Sequence, residues 1–293
     1  MKVYLVAGEP SGDKLGAELM AGLKSCAPYE LEFCGVGGPL MEEQGLTSLF
    51  PITEIAVMGI GEILAKYSFL KKRIKNTVDN ILRLKPDVLI TIDAPEFSLR
   101  VAKMVRKKLF INTIHYVAPT VWAWRPNRAK KISGYVDHIL ALFPFEPPYM
   151  QREGISCDFV GHPVANENLP EPSLVKKFRQ QHKIGENDTL VAFLPGSRIS
   201  EVDRLMPVFK NVSSMLISQK LNTRIVTVVA PAVEHIVVEN LQRWGNNIIV
   251  VTKDDLSSND FQKLKLVVFA SCDIALAASG TVSLELASTE TPM

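Results

Sequence analysis

Short apolar runs alternate with helical segments along nearly the whole chain, and this alternation limits the possible folds more than any other feature. In the first half, the apolar runs cover residues 2–7, 31–36, 87–93, 111–117, 138–142 and 157–160. In the second half, they cover residues 190–194, 224–229, 247–251 and 273–277. Strands that are regularly separated by helices form parallel, doubly wound sheets. The sequence therefore predicts an α/β fold with one such sheet in each half.

A change of composition marks the boundary between the two halves. Residues 161–173, GHPVANENLPEPS, are rich in Pro, Asn and Glu and lack apolar periodicity, which is typical of a linker. We therefore predict two domains, residues 1–165 and residues 166–293. The second has fewer strands, and the chain stops at Thr291-Pro292-Met293, where a proline after a helix would normally introduce the next strand. The expected second domain is accordingly incomplete.

The composition is that of a globular protein and argues against several classes. The 293 residues are 47% hydrophobic and 22% charged, and a formal net charge of only +2 argues against nucleic acid as a partner. No apolar run approaches the roughly 20 residues of a spanning helix, and the N-terminus reads as a strand, so the cytosol is the expected compartment. The cysteines are predicted to be reduced packing residues: Cys26, Cys34, Cys157 and Cys272.

Metal chemistry is not indicated by the histidines or the carboxylates. The five histidines show no short ligand spacing, and no D-x-D cluster occurs, so we predict neither a metal nor a cofactor. His115 ends a predicted strand, where it either lines a ligand site or makes a satisfied structural contact. Trp122 and Trp124 flank the same strand end and either belong to the core or contact acyl chains or sugars.

Asp93 lies at the carboxyl end of an apolar, β-branched run. Residues 88–92, VLITI, have the composition of a parallel strand that is covered on both faces. Ligands of open α/β sheets bind outside the carboxyl ends of the strands, where a catalytic acid or base is expected. Pro95 is predicted to open the next helix. Asp93 is therefore either a catalytic group or the N-cap of that helix.

Residues 8–13, GEPSGD, connect the first predicted strand to the first helix. Backbone N–H groups and the positive end of the helix favour an anion or a hydroxylated ligand here, with Ser11 and Gly12 as candidate contacts. The stretch is neither a G-x-G-x-x-G motif nor a P-loop. A plain turn in which Ser11 caps the helix explains the same residues.

Two loops in the second half suit a nucleotide. Ser197 and Arg198 follow the first strand of that half, and the planar fork of arginine fits a phosphate. The alternative is an exposed arginine in a plain turn. Residues 279–281 begin the last helix, which is a favourable place for a diphosphate.

The candidate donor contacts form a coherent set. Glu285 lies one helical turn beyond Thr281, on the same face, where a carboxylate can bind a ribose diol. Two half-sites on two domains that face one cleft predict a nucleotide-sugar transferase. The candidate donor residues are Ser197, Arg198, Ser279, Gly280, Thr281 and Glu285.

Residues 56–75 combine many apolar side chains with a cluster of cations. Such a segment either lies at a membrane interface, with its cations on anionic headgroups, or forms a buried helix with a solvated basic end. The candidate membrane or acyl contacts are Met58, Ile60, Leu64, Phe69, Leu70, Lys71, Lys72 and Arg73.

Several motifs occur in the order seen in one enzyme family. They are AGEPSGD, GVGGPLM, MGIGEIL, IDAPEF, HYVAPTVWAWRPNR, LFPFE, FVGHP, LPGSR, and ASGT followed by SLE. On these motifs the chain closely resembles the lipid-A-disaccharide synthases. The resemblance implies a GT-B glycosyltransferase that joins UDP-2,3-diacylglucosamine to 2,3-diacylglucosamine 1-phosphate. The implied products are a β-1,6-linked disaccharide and UDP, formed with inversion and without a metal.

The resemblance also implies roles for residues that match the motifs. Asp93 matches the general base, Ser11 an acceptor-side residue, Arg198 a diphosphate contact and Glu285 a ribose contact. Glu96 stands where the family often has aspartate, so the carboxylate is retained.

Location and assembly are implied in the same way. The family works peripherally at the cytoplasmic face of the inner membrane of Gram-negative bacteria and can exchange its C-terminal region within a homodimer. Its members continue beyond the position of Met293, so the chain is expected to be truncated.

Two alternatives stay open. A UDP-N-acetylglucosamine 2-epimerase shares the GT-B architecture but uses no lipid acceptor, and residues 56–75 together with the WAW stretch argue against it. The second alternative is a non-catalytic remnant that binds UDP or lipid, because C-terminal residues of the family are missing.

Overall fold

The computed structural model describes residues 1–56, 62–121, 127–167, 169–219, 222–244 and 248–293. The chain forms two compact units, Met1–Pro163 and Val164–Met293. Each unit consists of a parallel sheet with helices in its connections.

The first unit contains a seven-stranded sheet in the order β3-β2-β1-β4-β5-β6-β7, with every neighbouring pair parallel. Its strands are β1 (Lys2–Ala7), β2 (Glu32–Val36), β3 (Thr47–Ser48), β4 (Val88–Ile92), β5 (Asn112–Tyr116), β6 (His138–Ala141) and β7 (Ser156–Phe159). The sequence predicted all of these except β3. That edge strand has two residues, which is too short to produce an apolar pattern.

The helices of the first unit connect these strands. They are α1 (Pro10–Cys26), α2 (Pro39–Glu43), α3 (Thr53–Ala56), α4 (Glu62–Leu84), α5 (Ser98–Arg106), α6 (Asn127–Ile132) and α7 (Pro147–Gln151). Pro10 opens α1 at a position where its missing N–H is not needed. Leu70, Ile74, Val78 and Ile81 recur every three or four residues along α4 and are buried, so the helix packs through one apolar face.

The second unit contains a four-stranded parallel sheet in the order β10-β9-β8-β11. Its strands are β8 (Thr189–Leu194), β9 (Thr223–Val228), β10 (Ile248–Val251) and β11 (Ile274–Ala277). Its helices are α8 (Pro172–Gln181), α9 (Ile199–Ser218), α10 (Glu234–Gln242), α11 (Ser258–Ser271) and α12 (Thr281–Ser288), and short 3₁₀ turns cover Pro163–Asn166 and Pro231–Val233.

Both sheets are covered on two faces, as parallel sheets require. All five residues of β4 are buried. In β8, Leu190, Ala192 and Leu194 belong to one apolar cluster, whereas Val191 and Phe193 belong to another. Successive side chains of a strand point to opposite faces, so the two clusters lie on the two sides of the sheet. The predicted doubly wound α/β fold is confirmed.

The candidate membrane segment falls partly outside the described ranges. Met58 and Ile60 lie outside the described residues, as does the side chain of Leu64. Of the helices in the described ranges, none combines the length and the hydropathy needed to cross a bilayer.

Candidate active site

Each sheet has one point at which the strand order reverses. In the first unit β1 and β4 are neighbours, with Ala7 opposite Ile92; in the second, β8 and β11 are neighbours, with Leu194 opposite Ala277. Ligands of open α/β sheets bind beyond the carboxyl ends of the strands at such reversals. The four loops that follow these strands are residues 8–13, 93–97, 195–198 and 278–281, the same loops that the sequence predicts to be functional.

Asp93 is held in an unusual backbone conformation directly after β4. Its φ is +42° and that of Ala94 is +40°, the left-handed region that residues other than glycine rarely occupy. The Asp93 N–H donates to the Tyr116 carbonyl oxygen at 3.0 Å, and the Asp93 carbonyl accepts a hydrogen bond from the Ser98 hydroxyl. Backbone strain of this kind concentrates at functional sites.

The prediction that Pro95 opens the following helix is wrong. A turn covers residues 94–97, Phe97 is the N-cap, and α5 begins at Ser98. The two left-handed residues redirect the chain before it enters the helix. Asp93 therefore precedes the helix by a full turn and is not its N-cap, which removes the structural alternative considered for this carboxylate.

Gly8 lets the loops after β1 and β4 approach each other. A Cβ atom on Gly8 would overlap the Cβ atom of Ala94. Gly12 is buried, and a Cβ atom there would lie 3.4 Å from the Ala7 Cβ atom and 3.6 Å from the Ile92 carbonyl oxygen. The first turn of α1 therefore lies against the ends of both strands.

Ser11 is exposed within the first turn of α1. Glu9 is the N-cap residue of this helix, so the prediction that Ser11 could cap it is wrong. The proline at the first helical position moves the helix start ahead of Ser11.

Asp13 joins two elements near the site, and the sequence did not single it out. Its carboxylate is 5% exposed and accepts hydrogen bonds from the N–H groups of Gly38 at 2.8 Å, Leu40 at 3.1 Å and Met41 at 3.0 Å. These groups form the N-terminus of α2, so Asp13 in α1 caps a different helix. The contact joins the AGEPSGD and GVGGPLM motifs.

His115 is a structural residue. It is 1% exposed, and its Nδ1 atom lies 2.8 Å from the Thr91 hydroxyl oxygen on the neighbouring strand. Burial, and then the charge of Arg128, lower the pKa of His115 to about 3. The imidazole is therefore neutral near pH 7. Trp122 and Trp124 lie outside the described residues.

Two more carboxylates lie near the ends of strands in the first unit. Glu96 is ion-paired with Arg100 at 2.6 Å and with Arg128 at 3.5 Å. Glu146 follows β6, is 2% exposed and accepts a hydrogen bond from the Phe143 N–H at 3.0 Å. Burial raises the pKa of Glu146.

In the second unit, the two candidate phosphate loops lie side by side. The Ala278 N–H donates to the Leu194 carbonyl oxygen at 2.8 Å, which joins the loop after β11 to the end of β8. The side chains that the sequence assigned to a diphosphate are exposed: Ser197, Arg198, Ser279 and Thr281. Gly280 is the N-cap of α12, and a Cβ atom there would meet only open space.

Glu285 is more enclosed than its predicted role suggests. The residue is 8% exposed, and its Oε1 atom accepts hydrogen bonds from Lys265 at 2.6 Å and Gln262 at 3.0 Å. Both partners lie on α11, so the ion pair joins α12 to α11.

The carboxylate of Glu201 folds back onto the first phosphate loop, and the sequence did not single it out. Its Oε2 atom accepts hydrogen bonds from the Ser197 N–H at 3.2 Å and the Arg198 N–H at 3.3 Å. Its Oε1 atom lies 3.0 Å from Nη1 of Arg198. A glutamate three residues after a helix N-cap is the available signal for such a contact.

Within the candidate membrane segment, the described side chains differ in exposure. Phe69 is 38% exposed, and Lys71 and Lys72 are exposed. Leu70 is 6% exposed and belongs to the core, so its assignment to a membrane surface is wrong. Arg73 is ion-paired with Glu54 and stacks on Phe50 and Phe69.

The comparisons with known proteins identify one family. A family model described as Lipid-A-disaccharide synthetase matches residues 3–293. The lipid-A-disaccharide synthase of Ruegeria pomeroyi is 48% identical over 293 residues, which cover 100% of this chain and 73% of the relative. That of Rhodospirillum centenum is 44% identical over 291 residues, which cover 99% of this chain and 70% of the relative.

The solved structures support the fold. A UDP-GlcNAc 2-epimerase of Methanocaldococcus jannaschii in complex with UDP-GlcNAc and UDP matches with a TM-score of 0.65 at 16% identity, over 100% of this chain and 83% of that chain. The S. aureus MnaA–UDP co-structure matches with a TM-score of 0.68 at 14% identity, over 99% and 78%. At these identities the likeness shows the fold alone, and it confirms the GT-B class. On the family model and the relatives, the chain belongs to the lipid-A-disaccharide synthase family.

Proposed function

We propose that the protein joins UDP-2,3-diacylglucosamine to 2,3-diacylglucosamine 1-phosphate, with inversion and without a metal, to give lipid A disaccharide 1-phosphate and UDP. The family supplies the reaction. The observation that carries the proposal is the position of Asp93, a strained residue after β4 at the strand-order reversal of the first unit. That is the position expected for a catalytic carboxylate in an open α/β sheet.

The acceptor half of the reaction uses Asp93 as the general base. An acceptor hydroxyl oxygen attacks the anomeric carbon of the donor, its proton passes to the Asp93 carboxylate, and the bond to the diphosphate breaks with its electron pair leaving on UDP. A positioned base contributes roughly 10²- to 10⁴-fold to such a step. Ser11 is exposed on the first turn of α1 and is proposed to contact the acceptor, while Gly12 allows that turn to lie against the strands.

The donor half uses the two loops of the second unit. Arg198 and Ser197 are proposed to bind the diphosphate together with the start of α12 at Ser279, Gly280 and Thr281. A guanidinium and a helix N-terminus stabilise the charge that develops on the leaving group. Glu285 is proposed to contact the ribose while its Oε1 atom stays bound to Lys265.

The protein is also proposed to bind peripherally to the cytoplasmic face of the inner membrane. The described residues that support this are Phe69 and Lys72, one helical turn apart on α4, together with the exposed Lys71. Met58, Ile60 and Leu64 stay candidates from the sequence. An exposed aromatic ring next to cations suits an anionic bilayer surface. A homodimer stays a prediction of the family resemblance.

The epimerase alternative is supported by fold likeness to the Methanocaldococcus jannaschii epimerase at 16% identity, whereas the synthase relatives reach 48%. The family evidence therefore favours the synthase reaction. The non-catalytic alternative is addressed by the activity measurement that follows.

Asp93→Asn tests the proposed reaction. We expect kcat for UDP release with both acylated substrates to fall at least 100-fold, because asparagine cannot accept the acceptor proton. Glu96→Gln is the matched control, since it changes an ion-paired carboxylate in the same loop, and we expect it to retain most of its activity. If Asp93→Asn kept more than about a tenth of the wild-type kcat, the base assignment would be wrong. If the wild type released no UDP, the proposed reaction would be wrong for this chain.

A further inference from the structure

The loop that is proposed to bind the donor diphosphate already holds an anion, its own Glu201. Its carboxylate accepts hydrogen bonds from two loop N–H groups, those of Ser197 and Arg198, and is ion-paired with the Arg198 guanidinium at 3.0 Å. Backbone N–H groups at a helix start together with an arginine are the donors that proteins use for phosphate. Glu201 therefore uses, within the chain, the same hydrogen-bonding groups that a phosphate would use.

The loop is shaped to admit this carboxylate. Gly196 has a φ of +115°, where side chains other than hydrogen are strained, and a Cβ atom there would lie 2.6 Å from Oε2 and 2.9 Å from the Cβ atom of Glu201. The glycine of the LPGSR motif thus makes room for Glu201 as well as for the turn. Glu201 also lies in the first turn of α9, where a negative charge is favourable.

Two anions cannot use the same N–H groups at the same time. A carboxylate that remained on Ser197 and Arg198 would repel a diphosphate that approached the same loop. The neighbouring loop at Ser279, Gly280 and Thr281 is exposed, and a Cβ atom on Gly280 would meet open space. The two loops therefore differ: one is open, and the other is occupied by an internal anion.

We propose that Glu201 is a positioning residue that competes with the donor diphosphate for the Ser197 and Arg198 donors and is displaced when the UDP-sugar binds. This inference rests on the proposed donor site. In the UDP-free protein Glu201 satisfies the loop N–H groups and neutralises Arg198. When the UDP-sugar binds, the guanidinium and the two N–H groups donate hydrogen bonds to the phosphate oxygens instead, and the Glu201 carboxylate turns toward solvent.

The exchange has a consequence for turnover. When only a fraction of the molecules has the loop open, the apparent dissociation constant rises by the inverse of that fraction. The same competition favours the release of UDP, because the Glu201 carboxylate again accepts hydrogen bonds from Ser197 and Arg198 when the product dissociates. Glu201 therefore weakens donor and product binding together, and it favours turnover where product release is slow.

Glu201→Gln tests the competition, with UDP affinity measured by calorimetry. We expect the dissociation constant of UDP to fall roughly three- to tenfold, since the competing charge is removed while the side-chain length is kept. The KM for the donor should fall in parallel while kcat stays the same or falls. Loss of a merely structural contact would raise KM instead. Unchanged or weaker UDP binding by a folded Glu201→Gln variant would overturn the proposal.

Glu239→Gln is the matched control. Glu239 lies on α10 in the same unit and forms a similar exposed pair with Arg243 at 2.5 Å, so the variant makes the same change in net charge away from the loop. We expect its UDP affinity to equal that of the wild type. Equal tightening in both variants would mean that net charge, not competition at the loop, is responsible, and would overturn the proposal.

A second measurement needs no variant at position 201. In the isotope-labelled wild type, UDP should shift the amide signals of Ser197 and Arg198 and the side-chain carboxyl signal of Glu201, since all three exchange partners. Saturation with UDP without these shifts would overturn the proposal. If Arg198→Ala leaves UDP affinity unchanged, or if the wild type does not bind UDP, the donor site itself is wrong; if both behave as expected, only the Glu201 result decides.

Discussion

His115 and Thr91 support the Asp93 backbone from the neighbouring strand positions. Thr91 lies opposite His115 in the register of β4 and β5, and the residue after His115, Tyr116, accepts the Asp93 N–H. A buried neutral imidazole that is hydrogen-bonded to a hydroxyl is rigid and carries no charge that could disturb the pKa of the proposed base. His115 therefore has a structural role beside the site, and its protonation makes the free energy of unfolding depend on pH.

The pH dependence follows from the direction of the pKa shift. The folded protein lowers the pKa of His115 from 6.5 to about 3, so between these values the unfolded chain binds a proton that the folded chain does not. This group therefore leaves the free energy of unfolding unchanged above about pH 6.5 and lowers it progressively as the pH falls from 6.5 toward 3. We expect His115→Gln to lose less unfolding free energy than the wild type on going from pH 7 to pH 5. The difference in slope can reach about 1.4 kcal/mol per pH unit.

Urea unfolding of both proteins at several pH values measures this difference, because the contributions of the carboxylates are common to both and cancel. Identical pH slopes would contradict the assignment of His115 as a buried, neutral group.

At single residues, the sequence predicted the positions of chemical groups better than their surroundings. Asp93 and Arg198 follow apolar runs, so their places at strand ends could be read directly. The left-handed backbone at Asp93 could not be predicted from the sequence, because aspartate is also common in caps and turns. Glu201 was missed because its role depends on the side chain folding back onto its own loop. Leu70 was misassigned because an amphipathic helix has the same pattern whether it faces a core or a lipid surface.

At the scale of secondary structure, α1 and α2 are joined by one carboxylate. Asp13 in α1 caps α2 through three N–H groups, and Gly38 permits the approach because a Cβ atom there would lie 2.5 Å from the Asp13 Oδ2 atom. Since α1 begins at the loop after β1, this cap holds the loop at the strand-order reversal in place.

Asp13→Ala tests the importance of this cap. The substitution leaves three N–H groups without their acceptor in a place that is 5% exposed, and we expect the free energy of unfolding to fall by about 2–4 kcal/mol. Asp79→Ala is the matched control, because Asp79 is exposed on α4 and its removal should change the stability by no more than about 0.5 kcal/mol. Chemical denaturation measures both. Equal losses in the two variants would contradict a capping role for Asp13.

Strand positions were predictable because β-branched apolar runs in a parallel sheet leave a continuous signal, and most predicted strand ends agree with the structure to within a residue or two. Short elements were not predictable. The sequence did not predict α6 or α7, each of six residues or fewer, because a helix of so few residues is too short to show a helical apolar periodicity. The start of α5 was also wrong, since the turn before it depends on two left-handed residues.

At the scale of the whole molecule, the two units follow one rule. Each places its candidate loops at its own strand-order reversal, β1 and β4 in one unit and β8 and β11 in the other. The rule could be anticipated from the alternation of strands and helices, because a doubly wound sheet must reverse its strand order once. The chemistry could not be anticipated from the fold, since the Methanocaldococcus jannaschii epimerase shares it at 16% identity. The residues at the four strand ends indicated a nucleotide-sugar transferase, and the motifs of the family supplied the particular reaction.

Peripheral membrane binding is the remaining property of the whole molecule, and Phe69→Ser tests it. Phe69 is 38% exposed and lies one helical turn before the exposed Lys72, so its ring can enter the headgroup region while the lysine contacts anionic lipid. We expect the variant to bind anionic phosphatidylglycerol vesicles roughly three- to tenfold more weakly in a flotation assay, because the apolar area that the ring would transfer from water into the bilayer is lost. The melting temperature should stay unchanged.

Phe110→Ser is a close match for the control. Phe110 is 83% exposed in the same unit and stacks on Arg106 at 4.8 Å, much as Phe69 stacks on Arg73 at 5.1 Å, but it lies outside residues 56–75. A membrane surface confined to that segment predicts that Phe110→Ser binds vesicles like the wild type. If both variants lost binding equally, the attraction would reflect general surface hydrophobicity. If neither did, α4 would only cover the core, as its buried Leu70, Ile74, Val78 and Ile81 already do on the opposite face.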